Sequence, residues 1–264
     1  MSRSYPFFAL LLVTAALCGS AATADEGGAD LPSAQSIIDA LVKNQQTTGF
    51  SARARLSTNN AENQKESIQQ LRIIGQHSDE TTRLFYQIIW PKSTAGTGLY
   101  ILRNANGETS AFSISPDQPP TQRTPGDYDL AFANSALSIG DLVEDFWAWD
   151  AQQVMGEVDF DGQSCWHIQS KREPPSMEAT AMVETFVDKT RHVPLRLLKK
   201  NASGDTLRTL TASRIMKRRD DSFVAAVLEI KNHLSGKAST LTGSRSRRGI
   251  ELADAEFPSV DEPR

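Results

Sequence analysis

The stretch "WPKSTAGTGLYILRNANGETSAFSIS", Trp90 to Ser115, decides how the rest of the chain is read. Its Gly96-Thr97-Gly98 follows Lys92 and invites comparison with a phosphate-binding loop. Such a loop must open into a helix, whose N-terminal amides and dipole attract the anion. Here the glycines open into Leu99-Tyr100-Ile101-Leu102, an aromatic, β-prone run. Asn106-Gly107 then supplies the φ > 0 residues of a tight hairpin turn, and Ala111-Phe112-Ser113-Ile114 resumes the strand alternation. The glycines serve a hairpin, not a nucleotide.

Strand signals continue on both sides. Phe50–Thr58, Ser67–Gly75 and Thr82–Trp90 precede the hairpin as extended runs separated by polar turns. After it come Val154–Phe160 and Ser164–Lys171, joined by Asp161-Gly162, a strong hairpin signal. Further runs follow at Ala181–Val187, Pro194–Lys200, Thr206–Arg218, Phe223–Asn232 and Ser239–Arg245. Two segments read as helices. In "LPSAQSIIDALVKNQQ", Ile37, Ile38, Leu41 and Val42 share a face, with Pro32-Ser33 at the start and Thr47-Thr48-Gly49 at the stop. In "SIGDLVEDFWAWD", Ser138 caps, Asp141 completes a capping box, and Ile139, Leu142, Val143 and Phe146 form a stripe. The run "SPDQPPTQRTPGDYD" is too rich in Pro, Asp and Gly for regular structure. The expectation is mainly β: one antiparallel meander of about eleven or twelve strands with two helices, in one domain.

Of 264 residues, the first 24 do not count towards that fold. Arg3, an apolar run from Phe7 to Leu17 and Ala22-Thr23-Ala24 before Asp25-Glu26 read as a cleaved secretory signal peptide. Residues 25–264 are the expected mature domain, with Asp25–Asp30 a polar leader. Leu17 argues against lipid anchoring at Cys18, because such signals want a small residue there. Export leaves Cys165 as a single thiol and no internal disulfide, so a hydrophobic core must hold the domain. The net charge of −4 disfavours a general nucleic-acid binder.

No catalytic constellation emerges. His77, His167, His192 and His233 lie in separate segments without metal-ligand spacing. Cys165 and His167 are two apart on a strand and could share a side, the one nucleophile–base pair on offer to a lipid esterase; buried packing of the thiol is the plainer reading. No G-x-S-x-G occurs, and Gly236-Lys237 lacks the upstream glycine of a Walker loop. Neither a metal nor a cofactor is expected. Two basic clusters stand out: Arg214, Lys217, Arg218 and Arg219, then Arg245, Arg247 and Arg248. They suit an anionic headgroup or a protein partner, or are simply charged hairpin ends.

Three places carry a family resemblance: Pro91 with Gly96-Thr97-Gly98 and the strand to Leu102; Pro116 and Arg123 followed by Phe132, Ser135, Ser138, Asp141 and Leu142; and Asn232, Ser235, Gly236 and Thr240 running into "GIELADAEF". Their order resembles the LolA-like outer-membrane lipoprotein-sorting proteins. The resemblance implies an unclosed (half) β-barrel with helices covering an apolar cavity. It also implies a periplasmic carrier, a monomer that shields the acyl chains of a lipoprotein or lipid between an inner-membrane exporter and an outer-membrane acceptor. A rival reading is an adaptor of that exporter that carries nothing. Ile73, Leu84, Tyr86, Ile88, Trp90, Tyr100, Leu102, Phe112 and Ile114 alternate as the inner face of such a sheet would require. Ile139, Leu142, Val143 and Phe146, with Trp147 and Trp149, would form part of the lid. Gly96 and Gly98 would be a tight corner.

Overall fold

The computed structural model describes residues 31–45, 47–104, 108–149, 151–173, 180–218 and 221–260. The signal segment with Cys18, the leader, the Asn106-Gly107 turn, Arg219 and the side chain of Val42 lie outside the described residues.

Among the described residues thirteen strands form one antiparallel sheet. They are β1 (Gly49–Asn59), β2 (Lys65–His77), β3 (Thr81–Trp90), β4 (Gly98–Asn104), β5 (Thr109–Ser115), β6 (Gln118–Arg123) and β7 (Ala151–Phe160). After these come β8 (Gln163–Lys171), β9 (Met182–Asp188), β10 (Pro194–Lys200), β11 (Thr206–Lys217), β12 (Phe223–Asn232) and β13 (Ala238–Arg248). The order is β6-β5-β4-β3-β2-β1-β13-β12-β11-β10-β9-β8-β7. Consecutive strands pair except β6 and β7, and β1 also pairs with β13. The ring is left open between β6 and β7, which are the sheet's two edges. The expected meander and unclosed barrel are borne out.

The extra strand is β6. Its sequence QPPTQR lies in the Pro-, Asp- and Gly-rich run expected to be irregular, and its prolines cannot donate to a ladder. At an edge one side of the strand needs no ladder donors, and β6 pairs only with β5, through Ala111–Arg123, Phe112–Gln122 and Ser113–Thr121. The glycine corner is as expected. Gly96 has φ of +90° and its N–H donates to the Ile88 carbonyl at 2.8 Å. A Cβ on Gly98 would lie 2.2 Å from the Tyr86 carbonyl oxygen. Asp161 and Gly162, with φ of 52° and 73°, make the two-residue turn between β7 and β8.

One face of the sheet, the inner one, faces α1 (Ala34–Gln45) and a covering segment over residues 124–149. Ser33 Oγ accepts from the Ser36 N–H at 3.1 Å to begin α1, and Ile37, Ile38 and Leu41 are buried in the inner core. The second expected helix is corrected. The capping box is present, with the Asp141 N–H donating to Ser138 Oγ at 3.1 Å and the Ser138 N–H to Asp141 Oδ2 at 2.8 Å. However, α2 ends at Val143 (Ile139–Val143), because Glu144 takes a left-handed φ of 53°. A separate 3₁₀ turn, Asp145–Ala148, follows.

The outer face carries a second cluster. Ile74, Phe85, Tyr100 and Phe112 lie beneath Leu252 and Phe257 of the C-terminal strap, residues 250–260. Arg83 clamps the strap, pairing with Asp254 at 2.8 Å and lying 4.4 Å from the Phe257 ring centroid. Replacing Phe257 by alanine should cost about 3 kcal/mol of folding free energy, seen as a lower urea midpoint at unchanged m-value. An unchanged midpoint would mean that the strap contributes nothing to stability.

Candidate functional site

Two basic residues meet on the inner face where apolar side chains are expected. Lys199 on β10 stands directly opposite Arg208 on β11, and both are almost fully buried. Like charges so placed repel. The covering segment supplies the answer. Asp141, fully buried, takes Lys199 Nζ at 2.7 Å on Oδ1 and lies 3.5 Å from Arg208 Nε through Oδ2. Lys199 Nζ also donates to the Gly140 carbonyl at 3.0 Å. Arg208 Nη2 pairs closely with Asp129, whose carboxylate accepts from the Thr180 N–H at 3.1 Å. Burial lowers the Arg208 guanidinium to about 10. The capping carboxylate of α2 is therefore also the counter-ion that fastens the cover to the sheet.

Two more tethers hold the cover. Arg103, at the inner-face end of β4, donates to the Val143 carbonyl at 2.8 Å and to Thr109 Oγ1 at 3.0 Å. Across the sheet, Ser239 Oγ accepts from the Ala136 N–H at 2.9 Å. Beside Arg103 a cavity of about 260 Å³ opens, walled also by Tyr128, Glu144, Trp147 and Trp149. Burial raises the Glu144 carboxyl well above its ordinary range, against the pull of Lys199 and Arg103. Burial likewise pushes the Tyr128 phenol to about 12. The Trp147 Nε1–H is buried with no acceptor.

The expected site residues divide. Ile73, Leu84, Tyr86 and Ile88 lie together in the inner core with Ile139, Leu142, Val143, Phe146 and Trp147, and Trp149 packs against them. Tyr100, Phe112 and Ile114 do not join them. Cross-strand partners share a face, so Tyr100 goes with Phe85 and Phe112, under the C-terminal strap. Leu102 takes the same parity, and the inner positions of β4 are Leu99 and Ile101. The run 99–102 is apolar at every position, and periodicity could not choose between its faces. Trp90, at the end of β3, is 47% exposed. The expected oily hollow is also amended: α1 and the covering segment occupy the inner face, and the open space at the flank is part charged and part aromatic.

Sequence reasoning missed Arg103, Lys199 and Arg208, as well as the pairing role of Asp141. Lys199 and Arg208 carried a signal, each a basic residue in register with buried leucines, Leu197 and Leu210. Cys165 is buried, with Sγ 3.4 Å from the Gln163 carbonyl, and burial raises the thiol to about 11, unfavourable for a thiolate nucleophile. His167 stacks on Phe186 at 4.8 Å. Among the described residues no helix is long and apolar enough to cross a membrane.

A family model described as that of an uncharacterized protein matches residues 80–259, well over half of the chain. The chain belongs to that family. Solved structures place its fold. A DUF1329 family protein from Desulfovibrio piger matches with TM-score 0.73 and 16% identity, over 84% of this chain and 95% of that one. An outer membrane lipoprotein-sorting protein domain from Vibrio parahaemolyticus gives 0.72 and 16%, over 84% and 94%. A LolA superfamily protein from Nitrosomonas europaea gives 0.66 and 16%, over 87% and 99%. No curated protein matches the chain. The fold is LolA-like, as the three sequence segments had implied.

In this LolA-like sheet the buried charges make two predictions. Asp141→Ala strands Lys199 and Arg208 without their shared carboxylate and should destabilise the protein by about 3–5 kcal/mol in urea unfolding. Loss below about 1 kcal/mol would show that water or another group replaces the pair. Glu144 generates a pH dependence. Unfolded, it ionises near 4.5; folded, it keeps its proton to higher pH. Between those values the native state holds the extra proton, so stability from this group falls as pH rises through that window. Glu144→Gln should remove this slope, and its urea midpoint relative to wild type should rise steadily above pH 4.5. Parallel pH profiles for the two proteins would refute the assignment.

Proposed function

We propose that the protein is a periplasmic carrier that shields the acyl chains of a lipoprotein or lipid during transfer toward the outer membrane. The observation that carries this reading is the cover itself. The inner face of a LolA-like sheet is closed by a helix and by a segment of short, interrupted turns, not by a second sheet. The segment spans the opening between β6 and β7, and its apolar residues Ile139, Leu142, Val143 and Phe146 occupy the surface a hydrocarbon chain would take.

Each buried methylene contributes about 0.8 kcal/mol, so ten would give roughly 8 kcal/mol before ordering costs. Holding at that strength slows delivery, and a cover that returns to its place offsets the loss on release. In the proposed cycle the segment lifts, acyl chains replace its side chains on the inner face, and the segment re-docks when cargo leaves. The Arg103, Lys199 and Arg208 tethers set how readily it lifts. Export fits the N-terminal signal read from the sequence, and a fold shared with a lipoprotein-sorting domain fits the cargo class.

Phe146→Asp places a charge in the shared apolar contact and should abolish binding of a fluorescent fatty-acyl probe, with circular dichroism confirming the sheet. Full probe binding by the variant would remove this segment from the site. Lipid in an organic extract of the purified protein, identified by mass spectrometry, would favour carriage over an adaptor role without cargo.

A further inference from the structure

The outer face of the central strands holds a group of arginines that no described carboxylate pairs with. Along β1, Ala52, Ala54 and Leu56 point inward, and Arg53 and Arg55 are exposed on the other side. Register brings more arginine to them. Arg53 stands opposite Arg245 on β13 and opposite Arg72 on β2, and Arg247 lies opposite Ser51. Arg247, the Arg53–Arg245 pair and Arg55 thus form a row about 13 Å long across two adjacent strands. Arg245 and Arg247 are exposed.

Directly opposed like charges weaken a sheet. Where this face uses arginine structurally, a carboxylate is present: Glu256 on Arg72 and Asp254 on Arg83, both from the C-terminal strap. Among the described residues the strap makes no such pair with the arginines of the row. Among the described residues no carboxylate pairs with Arg53, Arg55, Arg245 or Arg247, and Glu229 on β12, beyond Thr240, borders the row without joining it. Four guanidiniums held together in a chain of net charge −4 call for an outside anion.

We propose that this face docks the protein on a membrane rich in anionic phospholipid, with Arg53, Arg55, Arg245 and Arg247 gripping headgroup phosphates. Guanidinium forks pair bidentately with phosphate, and the fixed spacing of two strands presents them to several headgroups at once. A long polyanion such as nucleic acid would extend past the row along a chain whose net charge is −4, whereas a layer of separate headgroups can be contacted locally. Docking leaves the inner face and its cover free, because they lie on the opposite side of the sheet.

Flotation of the protein with phosphatidylglycerol-containing vesicles, against pure phosphatidylcholine vesicles, tests this. Binding should need the anionic lipid and weaken with added salt. Each Arg→Gln change should weaken it about fivefold, so R53Q/R55Q/R245Q/R247Q together should lose at least about a hundredfold. The four positions are exposed, and the variant should melt no lower than wild type and still bind the acyl probe. That last measurement separates docking from carriage. Equal binding to both vesicle types, retained binding by the quadruple variant, or affinity for a soluble acidic polymer with none for vesicles would each overturn the proposal.

Discussion

Lys199 and Arg208 face the same side of adjacent strands, and that side is the interior. Neither can be buried there without a counter-charge, because desolvation of an unpaired ion far exceeds what packing returns. Asp141 is the shared counter-charge, and the same carboxylate completes the Ser138 capping box. A local helix-start signal is thereby tied to the tertiary position of the whole covering segment. The mixed character of the contact also matters. On separation from the sheet the ions regain water, which lowers the cost of parting, while the apolar side chains around Phe146 lose shelter.

The topology explains why a cover is needed at all. Pairing of β1 with β13 joins the first and last strands in mid-sheet and leaves β6 and β7 as the two ends. Closure would require those edges to bond. β6 is short, carries Pro119 and Pro120, and is exposed over most of its length, all of which discourage a further partner. The chain between the two edges then crosses the opening as the 124–149 segment, so the connection and the cover are one piece. Its break at Glu144 turns the chain away from the helix axis, so that Phe146 and Trp147, 4.5 Å apart between centroids, reach the inner core.

Much of the fold was legible. Extended runs between turn signals marked twelve strands, Asp161-Gly162 marked its turn, and Ser138 with Asp141 marked its cap. What escaped did so for physical reasons. Two prolines concealed β6, because their penalty depends on whether a strand has one neighbour or two, and neighbours are a tertiary fact. The face of Tyr100 was hidden in a run with no polar residue to set its phase. Glu144 has no special propensity for a left-handed turn, so nothing local predicted the helix break. Of the candidate site, the apolar lid residues were readable from their stripe. The buried ion network was not, because Asp129, Asp141, Lys199 and Arg208 converge from distant positions and a basic residue in a strand ordinarily signals solvent.

In the proposed role, cover and cargo compete for one surface. Stripping the cover exposes Ile139, Leu142, Val143 and Phe146 to water, and seating an acyl chain on the vacated face removes comparable hydrocarbon from water. Loading is then an exchange of one apolar partner for another, whose net free energy is a small difference between large terms. A fully closed, rigid core would refuse cargo, and a permanently empty one would release it too slowly or collapse. The ion pairs of Asp141 add a directional element to that balance, since only the protein's own cover brings the carboxylate that Lys199 and Arg208 require. Hydrocarbon can replace the packing of the cover but not its charge, and this asymmetry favours return of the cover once cargo has somewhere else to go.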